Sequence, residues 1–178
     1  GCSELADLVR TYRWADTPLG PIADWPQSLV FAVSTLLQSP VPIVLLWGED
    51  GIMIYNDAYS GFAGGRHPEL LGSKVREGWP EVADFNDNVM RVGLAGGTLS
   101  YRDQELTLHR YGRPERVWMN LDYSPVSGAD ARPAAALPIV VESPDRVLAS
   151  RRPRATEELF PTPAPAIPHP PWPPPLSA

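Results

Sequence analysis

The sequence predicts an α+β domain: a five-stranded antiparallel sheet, helices on one face, and a helical cap at the N-terminus. Three observations predict it. The apolar run Ile43 to Trp47 meets a turn at Glu49-Asp50-Gly51 and then a second β-prone run, Ile52 to Tyr55; Asp-Gly supplies the positive φ that a tight hairpin requires. Apolar residues at helical spacing recur before and after this hairpin. From Glu115 to Val126 the chain alternates, with Val117, Met119, Leu121 and Tyr123 set against Trp118, Asn120, Asp122 and Ser124. That is the period of a strand with one buried face.

Asp24 is placed to cap a helix with Pro26 in its first turn, where the missing N–H costs nothing. Leu29, Val30, Val33, Leu36 and Leu37 share one face of that helix, and Pro40 stops it. This face is expected to bury against the outer side of the sheet. Ile43 to Trp47 is apolar at every position, which predicts a strand covered on both faces. Asn56 and Asp57 suit the cap of the helix after the second strand. Pro68 and Gly72 frame a short turn of helix, with His67 in the capping position. Pro80 opens the longest central helix, where Val82, Phe85, Val89 and Val92 recur at helical steps and Gly96-Gly97 makes the exit. Leu99 to Arg110 and Glu115 to Val126 flank the turn Tyr111-Gly112-Arg113-Pro114, and Ala134 to Glu142 forms the last strand. Pro138 cannot donate a ladder bond, so an edge-facing position or a bulge is expected for it.

Composition bounds the function. At 178 residues with 43% hydrophobic content the chain suits one domain with a real core. A net charge of −6 and a pI near 5.0 leave no basic footprint for nucleic acid. The single cysteine, Cys2, excludes an intramolecular disulfide and fits a reducing compartment. From Trp25 to Gly48 no residue is charged, long enough at roughly 20 residues to span a bilayer. Pro40 and Pro42 interrupt that stretch and polar residues dilute it, so a helix running into a buried strand is expected, with no membrane insertion. Of the 22 prolines, ten come after Arg152. From Phe160 onward the composition reads as polyproline II or disorder, and a PxxP spacing such as Pro165 to Pro168 is read as part of an inert tail.

The passage Leu45-Leu46-Trp47-Gly48-Glu49-Asp50-Gly51-Ile52-Met53-Ile54-Tyr55-Asn56-Asp57-Ala58-Tyr59 resembles the opening of a PAS domain. Arg66-His67-Pro68-Glu69-Leu70-Leu71-Gly72 and Asp122-Tyr123-Ser124-Pro125-Val126 resemble later PAS stretches. Upstream, Trp14-Ala15-Asp16-Thr17-Pro18-Leu19-Gly20-Pro21 and Trp25-Pro26-Gln27-Ser28-Leu29 are similar to the segment before the N-terminal PAS modules of bacterial sensor histidine kinases. The resemblance implies the PAS fold and a division into a helical cap at 1–40, a PAS domain at 41–143, an output-helix remnant at 144–159 and a Pro-rich disordered tail at 160–178. It implies a cytoplasmic sensory module, not an enzyme, that binds a small ligand or partner and relays a conformational signal to a kinase or output domain. It further implies a homodimer through the N-terminal helix. The alternative is a ligand-free interaction module that dimerises through the 26–38 helix and the outer sheet face; charges at Leu36 and Leu37 would then break the dimer. Two features depart from the family. Asp130-Ala131-Arg132-Pro133 replaces the usual glycine turn before the last strand. Glu142-Ser143-Pro144 stands where Glu-Thr-Thr leads into the output helix, and Pro153 should kink or end a helix starting there.

The chemistry is sparse. None of His67, His109 and His169 begins an acceptor helix, and the chain leaves no room for an ATPase, so any kinase activity belongs to a longer parent or a partner. No paired ligand spacing suggests a metal. No cofactor is expected: Cys2 is far from the position of a flavin-adduct cysteine, and Val82 to Leu94 holds no histidine for haem. Ser60, His67 and Asp57 are not ordered as nucleophile, base and orienter. Asp84 and Asp87 share a helical face, with Asp87 and Arg91 suited to a surface ion pair. What remains is a pocket between the concave sheet face and the central helix. Its expected lining is Tyr55, Asn56, Phe62, Trp79, Phe85, Val89, Met119, Leu121 and Tyr123, with Asn56, Ser124 and the Tyr123 hydroxyl as polar handles. The same residues could instead fill a packed core.

Overall fold

A computed structural model describes residues 3–143; the expected output-helix remnant and Pro-rich tail lie outside the described residues. The elements are α1 (Glu4–Thr11), α2 (Gln27–Leu37), β1 (Val44–Trp47), β2 (Ile52–Tyr55), α3 (Asp57–Ala63), α4 (Val75–Gly78), α5 (Ala83–Leu94), β3 (Leu99–Leu108), β4 (Glu115–Ser127) and β5 (Pro133–Glu142). The five strands form one antiparallel sheet in the order β2-β1-β5-β4-β3. The α+β architecture is the one the sequence predicts.

The β1–β2 hairpin turns where expected, with both Gly48 and Gly51 at positive φ. Leu45 and Ile54 share one face of this hairpin and are fully buried. α2 lies against β1, β2 and β4 and buries Leu29, Val33 and Leu36, so both faces of β1 are covered. Leu36 therefore sits in the chain's own core, and a charge there would unfold the domain instead of testing a dimer. The exposed apolar residue of α2 is Phe31, at 71%.

Three local expectations are corrected. Asp24 does not cap α2: it closes a 3-10 turn, Ile22–Asp24, and Pro26 is the N-cap. The reason is steric, because a residue before proline is pushed out of the helical region, and Trp25 is extended (φ −64, ψ 137). No helix forms over 68–72. After a 3-10 turn at Gly64–Arg66 the chain turns to run beside β2, with Gly72 N donating to Met53 O (2.8 Å) and Met53 N to Ser73 O (2.9 Å). This covers an edge that would otherwise present unpaired backbone groups. Pro138 lies in neither an edge strand nor a bulge. β5 runs between β1 and β4, and Pro138 pairs with Tyr123 on the β4 side. On the β1 side the register that sets Ile43 against Ile139 and Leu46 against Ala136 brings Pro138 opposite Val44, where the ladder is interrupted. A proline is tolerated there because that stretch of ladder is absent.

The sequence reading missed α1, an eight-residue helix capped by the Ser3 side chain. It is tied to the body twice: Asp57 accepts from Ser3 Oγ (2.5 Å) and Leu5 N (2.9 Å), and Glu4 Oε1 lies 2.9 Å from His67 Nε2. His67 thus cross-links to α1 and opens no helix at Pro68. Asp87 pairs with Arg76 of α4, while Arg91 donates to Asn88, so the expected Asp87–Arg91 pair is not made.

Candidate functional site

α5 begins after a 3-10 turn at Pro80–Val82 and packs closely on β5: a Cβ at Gly93 would meet the Ala136 Cβ at 3.0 Å. Toward its N-terminal end helix and sheet stand further apart and enclose a cavity of about 50 Å³. Tyr59 and Phe62 enter from α3, and Trp79 from the residue after α4. Phe85 and Asn86 enter from α5, and Met119, Leu121 and Tyr123 from β4. Apolar residues of β1, β2, β3 and β5 with the Pro138 ring, together with Val75 of α4 and Val82, complete the lining. Among the described residues no charged side chain lines it.

Six of the nine expected residues therefore meet at one cavity: Phe62, Trp79, Phe85, Met119, Leu121 and Tyr123. Tyr55, Asn56 and Val89 do not line it. The Tyr55 ring packs on Tyr59 at 5.1 Å and its hydroxyl lies 2.8 Å from His67 Nδ1, which directs it toward α1. Asn56 is fully occupied by backbone. Its Oδ1 accepts from Ile43 N (3.2 Å) and Tyr59 N (3.0 Å), and its Nδ2 donates to the carbonyls of Leu36 (3.0 Å), Ser39 (3.3 Å) and Val41 (2.8 Å). Val89 is buried in the closely packed half of α5 with Met90 and Gly93. Ser124 is exposed on the opposite sheet face, as the alternation with Tyr123 requires.

Sequence reasoning missed Tyr59 and, more consequentially, Asn86. Asn86 is buried, lines the cavity, and its amide has no hydrogen-bond partner among the described residues. A signal was present, since an amide four residues after Val82 and three before Val89 interrupts an apolar stripe. Tyr59 is the second polar group. Its oxygen accepts from Trp79 Nε1 at 3.1 Å, leaving its own proton to donate. Burial holds the Tyr59 hydroxyl well above the usual tyrosine pKa, and burial followed by the neighbouring Tyr59 and Tyr101 does the same for Tyr123. Both phenols are therefore neutral donors.

Two arginines stand behind the aromatic wall. Arg66 lies over the Trp79 ring at 4.8 Å and donates to Glu81 (2.9 Å) and to the carbonyls of His109 (3.0 Å) and Gly78. Arg110, 5.2 Å from the Phe62 ring, grips Glu115 with two bonds of 2.9 Å, the Phe62 carbonyl at 3.1 Å and Glu142 at 2.9 Å. One guanidinium thus joins a cavity wall, the β3–β4 hairpin and the last residue of β5. Among the described residues no group of three or more His, Cys, Asp or Glu is placed to hold a metal ion, and no helix is long and apolar enough to cross a membrane.

No protein-family model matches the sequence, and no curated protein matches it. Solved structures match in fold. The PAS domain of Bordetella pertussis BvgS aligns with a TM-score of 0.52 at 18% identity, covering 74% of this chain and 98% of that one. A variant of RsLOV aligns with a TM-score of 0.52 at 18% identity over 66% of this chain and 69% of its own. A sensory box sensor histidine kinase from Vibrio cholerae gives 0.45 at 18% identity over 65% and 94%. The likeness to the BvgS domain names the architecture: this chain has the PAS fold.

Proposed function

We propose that this chain is the sensory PAS domain of a bacterial signal-transduction protein of the two-component histidine kinase type. A small molecule in the cavity beneath α5 is its input. Its output is a change in the setting of the β5 end, passed to a kinase or output domain in a longer parent or a partner. The reading places the domain in the cytoplasm. The observation that carries it is Arg110, which bonds both the cavity-lining Phe62 and Glu142 at the end of β5. A ligand pressing on Phe62 acts directly on the residue that holds the strand end. The chain itself binds and relays; the lining offers hydrogen bonds and apolar contact without a nucleophile and base. Two copies paired across the N-terminal cap would meet at Phe31, so Phe31→Asp should convert a dimer to a monomer in sedimentation.

Thermal-shift screening tests the sensory reading, because a ligand that binds only the folded state raises its melting temperature by mass action. The control is Leu121→Trp, whose indole fills the cavity. Compounds that stabilise the parent chain and leave folded Leu121→Trp unmoved are the expected result. A library in which no compound distinguishes the two proteins would refute the proposal.

A further inference from the structure

We propose that the cavity takes a small neutral oxygen-bearing molecule, a short-chain alcohol or ketone, and that the Asn86 amide selects it. This rests on the sensory reading and adds the chemistry of the ligand. Size is the first argument. A water-sized sphere needs about 10–15 Å³ of such volume, and drug-sized ligands need pockets of about 300–1,000 Å³. A cavity of about 50 Å³ therefore holds only a handful of heavy atoms. Charge is the second. With no ionised side chain among the described residues of the lining, an ammonium or carboxylate would enter without a counter-charge there, which apolar surroundings penalise heavily.

Hydrogen bonding is the third argument and it separates an oxygenate from a hydrocarbon. Asn86 lines the cavity at 9% exposure and makes no side-chain hydrogen bond among the described residues, so its amide is free to bond a carbonyl or hydroxyl that enters. A carbonyl oxygen can take the Asn86 Nδ2 proton and the Tyr59 proton, which the Trp79 bond leaves available. A hydroxyl can also donate to Asn86 Oδ1. The aliphatic floor and the rings of Phe62 and Phe85 suit a short alkyl chain.

The test titrates the full ¹⁵N-labelled chain with 2-butanone, with butyrate as its charged counterpart and with xenon as an apolar probe. 2-Butanone is expected to shift the Asn86 side-chain amide resonance saturably, and butyrate to leave it unmoved. Asn86→Leu should weaken 2-butanone binding roughly 10-fold, the scale of one well-made hydrogen bond, while xenon binds at least as well. Butyrate binding as tightly as 2-butanone would overturn the neutral class, and that comparison needs no variant. Xenon entry with equal 2-butanone affinity in the parent and Asn86→Leu would overturn the role of Asn86 and leave the sensory cavity standing. Exclusion of both xenon and 2-butanone would overturn this inference and the sensory reading together.

Discussion

Replacing Asn56 should cost far more than the loss of a helix cap. As an N-cap alone its side chain would contribute about 1 kcal/mol to α3. The structure gives it more to do: Oδ1 also accepts from Ile43 N at the entry to β1, and Nδ2 faces the carbonyls of Leu36, Ser39 and Val41. In Asn56→Ala these buried backbone groups lose their partner, each at about 1–3 kcal/mol before any water reaches them. Allowing for partial hydration, the sum is about 3–4 kcal/mol, a large share of a typical domain stability of about 5–15 kcal/mol. Asn56→Asp is the sharper probe. Aspartate caps helices about as well as asparagine, but it sets an oxygen where Nδ2 now meets three carbonyl oxygens. It should lose at least about 2 kcal/mol, because hydrogen bonds become repulsive contacts. Urea unfolding followed by circular dichroism and tryptophan fluorescence reads this as a lower midpoint at unchanged slope. If Asn56→Asp lies within about 0.5 kcal/mol of the parent, the amide acts only as a cap and the reasoning fails.

Ala131 sits at φ 63 in the turn before β5, a conformation that penalises a Cβ by about 1–2 kcal/mol; Ala131→Gly should raise stability by about 0.5–1 kcal/mol after glycine's entropy is deducted, seen as a melting temperature a few degrees higher. Ser28 Oγ is buried without a partner, so Ser28→Ala in α2 should be neutral or stabilising by up to about 1 kcal/mol in the same assay. The hydrogen bonds from Arg110 hold the Glu115 carboxyl below its ordinary pKa. The folded state therefore gains stability above the ordinary glutamate value, about pH 4.3, and loses it as pH falls through the lowered one. Glu115→Gln should flatten this acid limb, by less than about 1 kcal/mol because the side chain is 41% exposed; an acid limb identical in parent and variant would contradict the assignment.

The expectations that held are those set by neighbours in sequence. The Asp50-Gly51 turn, the Ile52–Tyr55 strand and the alternation of Val117, Met119, Leu121 and Tyr123 need no knowledge of distant residues, and each is found as expected. The same alternation already placed Ser124 outside the cavity, so naming it a polar handle contradicted the pattern. Asn56 was correctly placed as a helix cap, yet its bonds to Leu36, Ser39 and Val41 span 15 to 20 residues and have no local signature. Likewise nothing near Pro138 in sequence reveals that β1 stops pairing opposite it.

By itself the sequence determined most of the secondary elements, the polarity of the sheet faces and the set of residues from which a cavity lining could be drawn. Periodicity and turn chemistry act over a few residues and are written in the chain. Tertiary structure alone decided that α5 touches β5 at Gly93 and stands off at Asn86, that Asn56 turns to backbone and Tyr55 to His67, and that Arg110 joins Phe62 to Glu142. Those outcomes depend on the distance between elements and on which far partner satisfies each polar group. Both are properties of the assembled packing.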